Sequence, residues 1–442
     1  GIHLNSAAEL SNKVGPPHLL KAKISIRMRR AGLLLGAAAL STAILLPNPA
    51  AADDISDLKA ENVALKDQIE SQARDLQKLR DAVHQNGQAV ADVKAAKPAV
   101  TSGKDNTKLA ISGQLSRMVF YADDGDQARW FQADNDAAST RMRFVGTTKM
   151  DEDWAAGSNI EVQFASNSTA NVTIDQNTAT IASNSFTERK LELWFSNKNL
   201  GKLSLGQGSS ASDGTVEEDL SGTGAISSSG YSGLGSALAF RLSGTQGTTS
   251  GVTVGDMFST QDGLSRDDRI RYDSPTFSGT KLSTSWVDGD EWDIAARYGR
   301  EFDGTEIALA ASYWDASPTS QKTGYGLSAS IKAPFGTSLS GSYSSEDLEA
   351  TGRDDEEFWY VKLGHDFDVT DLGGSAVSID YSETEDQGAT GRKGTFYSLA
   401  ATQSITNLST ELFAIVGVYE ADIPAVQTED ITIGGFGALV KF

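Results

Sequence analysis

Six arginines stand on segments that alternate like strands: Arg141, Arg143, Arg241, Arg269, Arg271 and Arg297. Their flanking residues are apolar: Met142 and Phe144; Leu238, Phe240 and Leu242; Ile270 and Tyr272; Ile294, Ala296 and Tyr298. Successive side chains of a strand point to opposite faces, so the guanidinium groups lie opposite the apolar row. If that row meets lipid, the arginines face water, because Arg turned toward lipid near the bilayer midplane costs roughly 2–4 kcal/mol. A counter-charge is available in the segment after Gly208, which carries Asp213, Glu217, Glu218 and Asp219. Carboxylates set against an arginine wall would create a transverse field across a wet passage, orienting dipolar solutes and setting ion preference. The competing reading of such a charge run is a solvated external loop.

Other chemistry is harder to assemble. There is no Cys, and His84 and His365 are the only histidines after residue 52, too far apart in sequence to suggest a triad or a His-rich metal site. No phosphate-cradling Walker motif occurs, and no cofactor or metal is expected. With 59 acidic against 38 basic residues and a net charge of −21, the chain is a poor ligand for nucleic acid. Acidic clusters such as Asp123-Asp124-Asp126 and Asp354 to Glu357 lack the spacing of a calcium loop and read as solvated loop tips.

The elements that must position these groups come in two periodicities. An apolar run, Ala31 to Leu46, follows Lys21, Lys23, Arg27, Arg29 and Arg30 and ends at a small-residue exit, Ala50-Ala51-Ala52. This predicts a signal peptide over 28–52, starting at Met28, and makes residues 1–27 an upstream stretch without a structural role. From Asp53 to about Lys97 six heptads follow, with Ile55, Asn62, Ile69, Leu76, Val83 and Val90 at a and Leu58, Leu65, Gln72, Leu79, Asn86 and Val93 at d. So narrow a seam suits an N-terminal α-helical coiled coil of roughly 60 Å better than a single helix docked on a surface. The heptads do not set the number of helices. A linker spans 98–108.

From Leu109 to Phe442 the period is 2. Tyr325, Leu327, Ala329 and Ile331 share a face, turn at Ala333 to Gly336, and return as Leu339, Gly341 and Tyr343; the other face is Ser328, Ser330, Ser338, Ser340 and Ser342. A soluble sandwich would fill its inner face with bulky residues; small polar ones suggest a water-filled interior with Tyr at the membrane interfaces. Phe436, Ala438, Val440 and Phe442 carry the alternation to the last residue, although Leu439 blurs the polar side. Short Gly-containing turns alternate with long acidic connections. At about 20 residues per strand plus connection, 109–442 holds about 16 strands. The expected fold is all-β: a closed antiparallel transmembrane β-barrel preceded by the coiled coil. One segment fits poorly, since Arg117 shares a face with Leu115 and Val119; either a bulge shifts the register or Arg117 faces a neighbouring subunit.

Several stretches resemble the general bacterial outer-membrane porin family: RIRYDSPTFSG (Arg269 to Gly279) followed by KLSTSW, NLGKLSLGQG (Asn199 to Gly208), SGQLSRMVFYADDG (Ser112 to Gly125), DNDAASTRMRFVG (Asp134 to Gly146) and the terminal Phe. With its heptads, the chain is similar to porin relatives that carry a periplasmic coiled coil, DcaP-like channels among them. The resemblance implies a homotrimer in the bacterial outer membrane, in contact with lipid and lipopolysaccharide, that passes ions and small hydrophilic solutes by diffusion. It also implies that the acidic segment after Gly208 folds into the lumen and narrows it. Two other functions fit the same elements: a channel selective for dicarboxylates or anions, and an envelope tether whose barrel is only an anchor.

Overall fold

The computed structural model describes residues 106–442 apart from 177–185, 231–232 and 351. The expected upstream stretch, signal peptide, coiled coil and most of the linker lie outside the described residues. The sheet begins at Thr107, slightly before the expected Leu109.

Nineteen strands follow in order among the described residues. The first six are β1 (Thr107–Asp123), β2 (Ala128–Asp134), β3 (Arg141–Lys149), β4 (Trp154–Phe164), β5 (Phe186–Asn197) and β6 (Gly201–Ser209). Next come β7 (Ala239–Arg241), β8 (Thr249–Thr253), β9 (Arg266–Asp273), β10 (Thr280–Val287), β11 (Glu291–Phe302), β12 (Thr305–Asp315) and β13 (Lys322–Lys332). The last six are β14 (Thr337–Leu348), β15 (Glu356–Thr370), β16 (Gly373–Glu385), β17 (Lys393–Ile405), β18 (Thr410–Asp422) and β19 (Ile431–Lys441). Strands β7 and β8 form a small sheet of their own, and the other 17 form one antiparallel sheet. Because β2 and β3 pair with the two ends of the same long β1, they are two pieces of one stave, which leaves the expected 16.

The sheet closes on itself. Strand β1 pairs with β19 in continuous register from Gln114–Lys441 to Asp123–Thr432, and Phe442 exchanges backbone bonds of 2.9 and 3.0 Å with Gly113. Closure gives every edge a partner, which a sheet immersed in hydrocarbon requires. At the end that holds Phe442 the turns are tight. Asp303 and Gly304, both at positive φ (49° and 78°), join β11 to β12, the two-residue turn that matches strand twist. The other end carries the longer connections, above all residues 210–265.

The outer face bears the predicted apolar rows. Leu193, Leu205, Leu309, Leu327, Ile331, Leu339, Leu363, Ile379 and Leu399 are all exposed, far more apolar surface than a soluble monomer shows. Toward the long-loop end lies an aromatic girdle, with ring pairs Trp292–Tyr313 at 5.6 Å, Tyr325–Tyr343 at 6.0 Å and Trp359–Tyr381 at 5.0 Å. Arg117 does point outward and no bulge intervenes; its charge meets Asp134 at 2.6 Å and the Ser166 hydroxyl at 2.8 Å.

The interior departs from expectation. The serine face of β13 and β14 is not open to water. Ser328, Ser330, Ser338 and Ser340 are buried because residues 210–265 lie against them. Further round, β1, β15 and β17–β19 carry large apolar side chains on their inner faces as well. Phe120, Phe358, Phe396, Phe413, Ile415, Tyr419, Ile431 and Ile433 pack against Ile226, Leu234, Leu238, Phe240, Met257 and Phe258 of that inserted segment. Val172 and Ile174, from the β4–β5 connection, join the same cluster. Leu439, which blurred the alternation of the last strand, is one of these inward residues.

Candidate functional site

The inserted segment leaves the sheet at Ser209 and is received by arginines of the neighbouring strands. Arg269 donates to the carbonyls of Ser209 (2.9 Å) and Gly206 (2.5 Å) and pairs with Glu192; Arg271 donates to the Ser210 carbonyl (2.5 Å) and pairs with Asp273 at 2.8 Å. Arg297 donates to the carbonyls of Ala211 (2.9 Å) and Asp213 (2.7 Å). A chain departing from a sheet leaves a run of carbonyls without ladder partners, and these three guanidinium forks satisfy them. Asp293 takes the backbone N–H of Ser212 at 2.8 Å from the other side.

Beyond Asp213 the segment sweeps along the inner wall. Thr215 meets Ser312 at 2.6 Å, the N–H groups of Glu218 and Leu220 donate to Ser328 and Ser330, and Thr223 meets Ser378 at 2.8 Å. Thr402 donates to the Gly222 carbonyl, and Tyr419 to that of Leu234. Small hydroxyl side chains suit this seat, because they let backbone approach backbone and can donate or accept as needed.

The rest of the lumen is bounded by β3–β6 and β9–β11. Here Glu161, almost fully buried, accepts from Arg143 at 2.6 Å, Arg189 at 3.0 Å and Arg141 at 3.4 Å. Three guanidinium groups share one carboxylate, so this wall keeps positive charge. A cavity of about 540 Å³ continues toward the tight-turn end, lined by Lys190, Lys202, Lys281, Arg271 and Arg297 against Glu192, Asp213 and Asp273. Trp194 lies beneath the Lys202 ammonium, 5.4 Å from ring centre to nitrogen.

Five of the six expected arginines therefore stand on this arc: Arg141, Arg143, Arg269, Arg271 and Arg297. Arg241 does not. It belongs to the β7–β8 hairpin of the inserted segment, where Leu238 and Phe240 alternate because they pack into the interior cluster, not because they meet lipid. Its side chain is buried between Asp124 and Asp175, each at 2.6 Å. The four expected carboxylates all lie on the inserted segment but play different parts. Asp213 pairs with Arg266 at 3.3 Å, and Asp219 is drawn to the far wall by Lys362 at 2.8 Å. Glu217 is exposed and Glu218 partly so. Enclosure pushes both acids above the ordinary carboxylate range; Asp213 adds to the rise at Glu217, while Arg297 opposes it at Glu218. Asp262, on the returning limb, is raised well above that range by burial and then by Glu217 and Asp213.

Arg189, Lys190, Lys202, Lys281 and Lys362 were missed. Alternation in KLELW (190–194), KLSTSW (281–286) and FWYVKLG (358–364) places Lys190, Lys281 and Lys362 opposite the apolar rows, so the signal was present. Arg189 had none, since it turns inward only through the register shift opposite Glu161 and Val162.

Comparison with known proteins agrees with this architecture. The family model described as Gram-negative porin matches residues 86–423. No curated protein sequence matches the chain. Among solved structures, the anion-selective porin of Comamonas acidovorans aligns with a TM-score of 0.52 at 15% identity, over 76% of this chain and 100% of that one. The outer membrane channel DcaP of Acinetobacter baumannii gives 0.50 at 13%, over 78% and 100%. A loop-deleted form of OmpT, an outer membrane protein of Vibrio cholerae, gives 0.51 at 12%, over 76% and 100%.

Proposed function

The chain belongs to the Gram-negative porin family and forms an outer-membrane channel for small solutes; from that premise we propose that its conduit is off-centre, running only along the arc of β3–β6 and β9–β11. The observation that carries this reading is the seating of residues 210–265 on the opposite wall, which dries the serine and apolar faces and leaves the basic arc wet. Ions and small hydrophilic solutes then pass between Arg141, Arg143 and Arg297 on one side and Glu217 and Glu218 on the other, in a transverse field that orients dipoles. Asp213 and Asp219, held by Arg266 and Lys362, fix the loop rather than supply free charge.

The test is reversal potential in a planar bilayer under a salt gradient. Glu217→Gln with Glu218→Gln should move it toward anion selectivity and change conductance. Unchanged single-channel behaviour would remove these carboxylates from the conduit.

A second reading, an anion-selective channel, draws on Lys190, Lys202 and Lys281, which line the cavity without an ion-pair partner among the described residues. Saturating uptake in liposome swelling would favour it. In the full assembly we place three copies together in contact with outer-membrane lipid and lipopolysaccharide, a cleaved signal over 28–52, and a coiled coil over 53–97 gathering the N-termini in the periplasm. An envelope tether without conduction would show no current.

A further inference from the structure

Beyond Asp213 the loop's seat is built largely of hydroxyls, and one buried cation stands among them. Lys362, on β15, has a side chain with no exposed surface. Its ammonium donates to the Asp219 carboxylate at 2.8 Å and to the Ser227 carbonyl at 2.7 Å. Between those two points the loop reverses through Gly222, at φ +78°, where an added Cβ would come within 2.6 Å of Asp366. One cation thus grips both limbs of a turn. The surrounding atoms complete the grip. Asp219 also accepts the Ser221 N–H (2.8 Å) and hydroxyl (3.0 Å), and Asp380 holds the Ser227 hydroxyl from the next strand, with Ser398 bonded to its other oxygen at 2.8 Å.

Hydroxyl contacts exchange readily for water, so a loop held by them alone could lift bond by bond. A buried ammonium cannot be released singly, because its carboxylate partner would be left charged in a dry place. Asp219 immediately follows Glu217 and Glu218, so whatever fixes it also fixes their distance from the arginine arc.

We propose that Lys362 is a positioning residue for the channel: a latch that holds residues 217–227 against the wall and so sets the width and charge of the conduit without touching the permeating solute. This rests on the reading of the inserted segment as the narrowing element.

The chain has no Cys, so a crosslink can be introduced cleanly. Thr223 and Ser378 bring their side-chain oxygens to 2.8 Å, and Thr223→Cys with Ser378→Cys would tie the same turn to the same wall without a charge. The experiment records single channels from wild type, Lys362→Met, Asp219→Asn, and Lys362→Met carrying the cysteine pair, with strand content by circular dichroism as the folding control. For Lys362→Met the latch predicts a several-fold rise in open-channel noise, a broadened conductance distribution and a shifted reversal potential. Oxidising the cysteine pair should return all three to wild type, and reducing it should release them. Asp219→Asn should show the same noise, which covers the case in which Lys362→Met does not fold. Folded variants with wild-type noise and reversal potential would overturn the proposal, as would a disturbance that persists with the disulfide formed. A wild-type barrel that carries no current would instead defeat the channel reading on which the latch depends.

Discussion

The two halves of the inner wall solve opposite problems with the same strand geometry. On β3–β6 and β9–β11 many inward residues are long and charged; on β12–β17 many are serine, threonine or alanine, giving way to apolar side chains toward β1. Long charged side chains hold a space open, because each head must remain solvated or paired and cannot be stacked against backbone. Short hydroxyl side chains allow another chain to settle directly on the sheet. The difference shows that a small polar face does not by itself mean contact with water. In this barrel it means contact with a second layer of protein.

Several substitutions would break or sharpen that contrast. The largest effect is expected at Glu161, the shared partner of Arg141, Arg143 and Arg189. Glu161→Ala leaves a partly buried guanidinium cluster unbalanced and should cost about 3–5 kcal/mol, read as a lower melting temperature in detergent together with increased anion permeability. A wild-type melting curve would mean that the basic arc does not depend on this carboxylate. On the other arc, Gly364→Val should force the loop off its seat, since a Cβ there would meet Ser221 at 2.5 Å. Overpacking of this kind costs about 1–3 kcal/mol, and conductance should change while strand content does not.

Acidity gives a gentler test. Enclosure raises Glu217, Glu218 and Asp262, with repulsion from neighbouring carboxylates adding at Glu217 and Asp262, so these groups gain protons as pH falls through a window above the ordinary carboxylate range. A raised acid is neutral below its shifted value and charged above it. Cation preference should therefore decline on acidification before carboxylates in the ordinary range titrate, and Glu217→Gln should remove most of that early change. Its ionisation also works against the seated loop as pH rises, so the stabilising share of these groups is present at low pH and lost on going up. The smallest effect is expected outside the lumen. Arg117→Met removes an outward charge while Asp134 keeps its hydrogen bonds from Ser166 and Asn167, and it should leave conductance alone.

Much of the barrel was legible because period-2 patterning reports two-sided strands well. Strand number, the alternation of the last strand and the inward placement of five of the six arginines follow from it. The same rule failed at Arg241, because alternation tells which residues share a face and not what covers that face. Leu238 and Phe240 look lipid-facing in sequence, yet they are the core of a loop inside the barrel. The serine face misled for the same reason: no local pattern records that a segment more than a hundred residues away will lie on it, as Leu220 does on Ser330. Arg189 was hidden by a register shift, which alternation cannot show. The division among the four expected carboxylates was equally invisible, since only the fold shows that Asp219 meets Lys362 on the wall beneath the loop while Glu218 has no such partner among the described residues.

The off-centre conduit is tested most directly by thiol access in single open channels. A cysteine at Lys202 or Lys281 on the basic arc should react quickly with a small water-borne thiol reagent and reduce the current stepwise. A cysteine at Ser330 or Ser340, both buried under the inserted segment, should stay unmodified with current unchanged. Rapid modification and block at the serine positions, with the lysine positions silent, would contradict the account.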